Sequence, residues 1–180
     1  MRELAMECVT RAALAAGLPE GRVFDVSRKD NLTQPRPRLE VQYLPEKLTR
    51  TGRKLGVTRA NGRLTRKREV YAVELSVLVN VLAEDEGWLA GFGHAFLAAL
   101  PRGLNDARGN WVKVRAVKAE YQRAPAPRVG ITTIEPLKRV GELYNLTFTG
   151  RVTAEETEPL ITSITINPPR TGGTHGQGQD

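Results

Sequence analysis

The stretch Val70–Leu82, VYAVELSVLVNVL, decides the fold class. Tyr71, Val73, Leu75, Val77, Val79 and Val81 fall on one face of an extended chain. Val70, Ala72, Glu74, Ser76, Leu78, Asn80 and Leu82 fall on the other. An apolar face opposite a mixed face predicts a central strand covered by helix on one side.

Working outward, Asp85 and Glu86 place negative charge where a helix dipole favours it. Trp88, Leu89, Phe92, Phe96 and Leu100 form the stripe of that helix, and Pro101 ends it. Gly91, Gly93, Ala95, Ala98 and Ala99 are small enough to let it lie close to a sheet. Upstream, Leu39, Val41 and Tyr43 alternate with Glu40 and Gln42 as a half-buried strand. Arg22 to Val26 reads as a short strand. Before it, Leu4, Ala5, Cys8, Val9, Ala12, Ala13 and Ala16 recur at helical spacing over Glu3 to Ala16, with Gly17 and Pro19 as the stop.

Downstream, Trp111 to Tyr121 is a more polar strand, at an edge or facing a subunit contact. Residues 123–141 are a Pro-rich connection, with a short strand at Val129 to Ile134. Tyr144, Leu146, Phe148 and Val152 alternate as a last core strand. Ala154 to Glu158 is acidic, and Leu160, Thr162, Ile164 and Ile166 alternate once more. The expectation is an α+β fold: a mostly antiparallel sheet with helices packed against it, a core domain over 1–152, and an extended C-terminal arm over 153–180.

The strongest local anomaly is Lys47 to Arg68. It holds Lys47, Arg50, Arg53, Lys54, Arg59, Arg63, Arg66, Lys67 and Arg68 and no acidic residue. Asn61-Gly62 near its middle is the preferred type I′ pair. A protruding basic β-hairpin is expected, with its tip at Ala60 to Arg63. Its charge suits DNA phosphates, bound without sequence preference, or acidic residues of a neighbouring subunit. Aromatics are not interleaved with it, so base stacking is not supported.

Composition points away from catalysis. The chain has 180 residues, a net charge of +7, and only two histidines and one cysteine. Cys8 lies among apolar residues and reads as a small buried hydrophobe. His94 lies within the second helix and His175 in a Gly-rich tail. Neither has a second ligand at metal spacing. Gly91-Phe92-Gly93 sits inside a helix, and no phosphate-binding or nucleophile-elbow motif occurs. No catalytic residue, metal site or cofactor is expected. No run approaches the ~18 apolar residues of a membrane span, and no signal-peptide pattern opens the chain. A protein without membrane contact, and not secreted by the usual route, is expected.

The order of elements then gains meaning. Arg38-Leu39-Glu40-Val41-Gln42-Tyr43, Tyr71-Ala72-Val73-Glu74-Leu75-Ser76-Val77 and Ala95-Phe96-Leu97-Ala98-Ala99-Leu100-Pro101 occur in a helix–strands–hairpin–strand–helix–strands order over residues 1–152. This resembles the tail-terminator family of long-tailed bacteriophages. The resemblance implies a structural virion protein, assembled in the host cytoplasm and placed at the tail or neck. Such subunits form a ring, typically a hexamer, that caps the tail tube, ends its polymerisation and offers a docking surface to the head connector. Its implied partners are copies of itself and the tail tube protein, with sheath and head-connector proteins and lumenal DNA as further candidates. Leu160, Thr162, Ile164 and Ile166 are the candidate inter-subunit strand. A head-completion or other neck protein, and a basic nucleic-acid-binding protein, stand as alternatives.

Overall fold

Alternation over Val70–Leu82 does produce the central strand, but a longer one. The computed structural model describes residues 1–26, 35–123 and 140–160. Its elements run α1 (Arg2–Ala15), β1 (Val23–Asp25), β2 (Arg38–Tyr43), β3 (Lys47–Ala60), β4 (Arg63–Ala83), α2 (Glu86–Ala99), β5 (Gly103–Asn105), β6 (Trp111–Arg123) and β7 (Val140–Pro159). Among the described residues one sheet forms, in the order β1-β2-β4-β7-β6-β5, with β3 also paired to β4. Only β1 and β2 run parallel. The architecture is α+β and mostly strand.

The core lies between the helices and one face of the sheet. Leu39 and Val41 of β2, Leu75 to Val81 of the alternating face of β4, and Tyr144, Leu146 and Phe148 of β7 are fully buried there. α1 contributes Ala5, Cys8, Val9, Ala12 and Ala13, and α2 contributes Leu89, Phe92 and Phe96. The ring of Phe96 stacks on Phe92 at 5.7 Å and meets Tyr144 at 5.3 Å. Burying a ring of this size contributes roughly 1.5–3 kcal/mol.

Local chemistry sets the helix ends. Gly17 follows α1 at φ 95°, a conformation glycine adopts without a Cβ penalty. The Gly17 and Leu18 amides donate to Leu14 and Ala13, which closes α1 in a Schellman turn and buries Leu18. At the start of α2, the Asp85 carboxylate accepts from the Trp88 amide at 2.6 Å. Asp85→Ala therefore costs about 1 kcal/mol, measured as a lowered urea midpoint with unchanged slope.

Small residues do let α2 approach the sheet. A Cβ on Gly93 would stand 2.5 Å from the Tyr144 hydroxyl and 2.8 Å from Glu142 Oε2. The Tyr144 hydroxyl donates to that carboxylate at 2.6 Å.

Cys8 is buried, and burial pushes its thiol up to about 11, with Arg11 pulling it down and Glu7 raising it. An unfolded chain loses this proton near pH 9, the ordinary value. The unfolded state then binds fewer protons than the native one, so stability falls as pH rises. That contribution is complete below pH 9 and is lost between about 9 and 11. Cys8→Ala should flatten stability over that window in alkaline urea titrations.

Candidate functional site

β4 and β7 outrun the helix-covered core. β4 pairs with β7 along its whole length, from Ala83↔Val140 to Arg63↔Pro159. β2 takes the other edge of β4 only over Val77–Leu82, and β3 takes that edge over Arg63–Glu74. Beyond Tyr71 the sheet is thus a three-stranded arm, β3-β4-β7, about 25 Å long. Asn61 and Gly62 join β3 to β4 with positive φ at both residues, 50° and 68°, as a type I′ turn requires.

The third strand was not expected in this place. The boundary foreseen at 152/153 falls inside β7, which continues to Pro159 because β4 offers it partners to the end. The Leu160 amide donates to the Gly62 carbonyl at 2.8 Å and closes the tip. Thr162, Ile164 and Ile166 lie outside the described residues, as does the strand foreseen at 129–134.

The nine basic residues singled out by sequence all lie on β3 and β4, but in two groups. Arg66, Lys67 and Arg68 meet Glu158 at 3.3 Å, Glu155 at 3.3 Å and Glu156 at 4.0 Å. The acidic run of the same chain thus sits beside the basic one. These pairs are half-exposed, so each contributes at most about 1 kcal/mol. Lys47, Arg50, Arg53, Lys54, Arg59 and Arg63 make no ion pair with a described residue.

Register divides the cations between the two faces. Residues opposite one another in an antiparallel ladder share a face. Arg50, Lys54, Arg59, Arg66 and Arg68 stand on the face that continues the core. Lys47, Arg53, Arg63 and Lys67 stand on the opposite face. The break at Val70 decides which cations of β4 take which face. There β4 bulges between Glu69 and Tyr71, so the core face passes from odd to even numbers.

Both long edges of the arm are open among the described residues. β3 pairs with β4 alone, and β7 pairs with β6 only up to Thr149. β6 is a third open edge, because β5 covers just Trp111–Lys113 of it.

A separate cavity of about 330 Å³ lies between α2 and β6, lined in part by His94, Tyr121 and Glu142. His94 is exposed and within 3.3 Å of the Ala90 carbonyl of its own helix. Burial, with the bond to Glu142, raises the Tyr144 phenol above its ordinary range, so it remains protonated. No group of three His, Cys, Asp or Glu among the described residues is placed to hold a metal ion. No described helix is long and apolar enough to cross a membrane.

The acidic run Ala154 to Glu158 is visible in the sequence, but its partner is not. Its signal is three acids, Glu155, Glu156 and Glu158, against three bases, Arg66, Lys67 and Arg68, which a shared ladder would bring together.

No protein-family model matches the chain, and no curated protein does. Among solved structures, a chain from the virion of a native gene transfer agent particle is similar at a TM-score of 0.30 and 16% identity. The overlap covers 79% of this chain and 84% of that one. A likeness at that level decides neither the fold nor the function of this chain.

Proposed function

We propose that this chain is a structural virion subunit that closes a ring on the end of a phage tail tube, stops its growth and receives the head connector. The observation that carries the assembly part is the arm: three strands that leave the helix-covered core with both edges open among the described residues. An open edge satisfies its backbone groups by taking a strand from another chain. The terminator part rests on the resemblance of the three sequence pieces over residues 1–152. A head-completion or other neck subunit would use the same arm.

A ring cap makes unlike contacts to its left and right neighbours, and closure follows when the rotation returns to the start. The test is mass in solution, followed by electron microscopy of virions that carry the protein. A closed oligomer, typically of six copies, at the end of the tube is the expected result. A strict monomer that never joins a tail tube would overturn the reading.

The six arm cations without an ion partner among the described residues favour a second reading, contact with duplex DNA. Replacing Arg59, Arg63, Arg66 and Arg68 by Ser distinguishes the two. Loss of salt-sensitive DNA binding with unchanged assembly favours the nucleic-acid reading. Lost assembly favours the ring.

A further inference from the structure

The arm is polarised across its width rather than through its thickness. Its β3 edge, Arg53 to Ala60, carries Arg53, Lys54 and Arg59 and no acid. Its β7 edge, Thr153 to Pro159, carries Glu155, Glu156 and Glu158 and no base. The two faces, by contrast, both carry cations. A polyanion lying on either face would meet part of the charge. A strand lying along an edge meets charge of one sign.

We infer that these two edges are a head-to-tail docking pair, the basic β3 edge of one copy of this chain seating beside the acidic β7 edge of the next copy. The inference rests on the assembly reading above and adds which edges meet and which charges align them.

Four observations carry it. First, each edge has a strand on one side only among the described residues, so backbone donors and acceptors are free to pair outward. Second, like edges repel: a basic, bulged β3 guards against a second β3, and three glutamates guard against a second β7. The bulges lie between Arg50 and Gly56, which leaves Gly56–Ala60 regular enough to accept a strand. Third, the glutamates retain capacity. Their contacts to Arg66, Lys67 and Arg68 are 3.3 to 4.0 Å long, and their side chains are 53% to 57% exposed. A carboxylate has several acceptor sites and can serve a second cation.

Fourth, the geometry aligns. β3 and β7 each run antiparallel to β4, so they run the same way. Copies related by rotation about an axis along the arm therefore bring them together in parallel. Arg59, Leu64 and Glu158 form one rank across the arm, so Arg59 of one copy stands level with Glu158 of the next. Lys54 is one step from Glu156 on the same face, since Arg68 and Ala154 share its rank. A contact between unlike edges of identical copies is heterologous, the kind that generates a ring.

The test uses the full chain, with assembly followed by sedimentation and native mass spectrometry. One variant makes β3 acidic: Arg50→Glu, Arg53→Glu, Lys54→Glu and Arg59→Glu. The other makes the β7 edge basic while keeping the internal pairs: Glu155→Lys, Glu156→Lys and Glu158→Lys with Arg66→Glu, Lys67→Glu and Arg68→Glu. Each alone should associate at least about tenfold more weakly than wild type, and an equimolar mixture should recover wild-type assembly. A cross-link supplies a check that does not depend on how the charge variants fold. Within one arm, positions 59 and 158 stand two strand spacings apart, roughly 9.5 Å, beyond disulfide reach. Chains with both Arg59→Cys and Glu158→Cys should therefore oxidise only between copies, into a ladder of multimers.

Wild-type-like assembly by both charge variants, with no ladder, overturns the edge pairing and leaves the ring reading standing. A wild-type monomer that gives no ladder also overturns the pairing. Absence of the protein from tail ends in virion images overturns the ring reading separately.

Discussion

Phe96→Ala lowers the unfolding free energy by about 3–5 kcal/mol. Phe96 is fully buried. It is the middle of a continuous aromatic run, in which Trp88 stacks on Phe92 at 4.9 Å, Phe92 on Phe96 at 5.7 Å, and Phe96 meets Tyr144 at 5.3 Å. Truncation removes the transfer free energy of a whole ring and leaves a cavity between α2 and β7. That cavity cannot close readily. α2 is already in close approach at Gly93, where Tyr144 and Glu142 occupy the space a Cβ would need. A lowered urea midpoint with an unchanged slope is the expected readout. Phe96→Leu, which retains most of the volume, should cost distinctly less. Equal losses for the two variants would show that this ring is not a central packing element.

Glu155→Lys, Glu156→Lys and Glu158→Lys together have a different signature: they leave global stability nearly unchanged and open the arm. These residues pair with Lys67, Arg68 and Arg66 across the β4–β7 ladder. They sit outside the buried cluster that sets the global unfolding energy. Each attraction is worth roughly 0.2–1 kcal/mol in an exposed setting, and reversal replaces it with repulsion of similar size. Attraction lost and repulsion gained at the three pairs sum to about 1–6 kcal/mol of local stability, which corresponds to amide exchange at least roughly 5-fold faster in the arm. Exchange mass spectrometry should show the change in peptides covering 63–69 and 151–159 and not in α2 or β2. The effect should shrink in high salt, because exposed charges are screened beyond a Debye length of about 3 Å at 1 M. Unchanged arm exchange would mean that backbone pairing and Thr65–Thr157 contacts hold the arm without help from its charges. The hydroxyls of those threonines are 3.1 Å apart.

The two variants separate the parts of the molecule. One acts where apolar area is removed from water, the other where the ladder alone holds the chain. Assembly, in the proposed reading, belongs to the second part. An arm of marginal local stability can still gain order from a neighbour, since ordering then accompanies edge pairing.

Periodicity was enough for the core elements because burial on one face imposes a local period. Val73 to Val81 on β4, the Leu89–Phe92–Phe96 stripe of α2 and Tyr144 to Phe148 on β7 each follow from spacing within their own segment. The turn at Asn61-Gly62 was legible for a local reason too, because few residue pairs accept positive φ twice in succession. The basic residues of the arm were visible as composition.

What composition could not assign was their surroundings. Strict alternation carried back from Val81 puts 63, 65, 67 and 69 on the core face, but the bulge at Val70 puts 64, 66 and 68 there instead. A bulge is one extra residue in a ladder, and only the partner strand reveals it. The partner of Arg66 to Arg68 is likewise about ninety residues away in sequence, since Glu156 lies opposite Arg66. Pairing over that separation is settled by the register of the whole β4–β7 ladder. The sequence by itself therefore determined the two helices, the alternating core segments of β2, β4 and β7, and where positive charge accumulates. Tertiary structure alone decided that the acidic run joins the basic hairpin as its third strand, and so gave the arm one basic and one acidic edge.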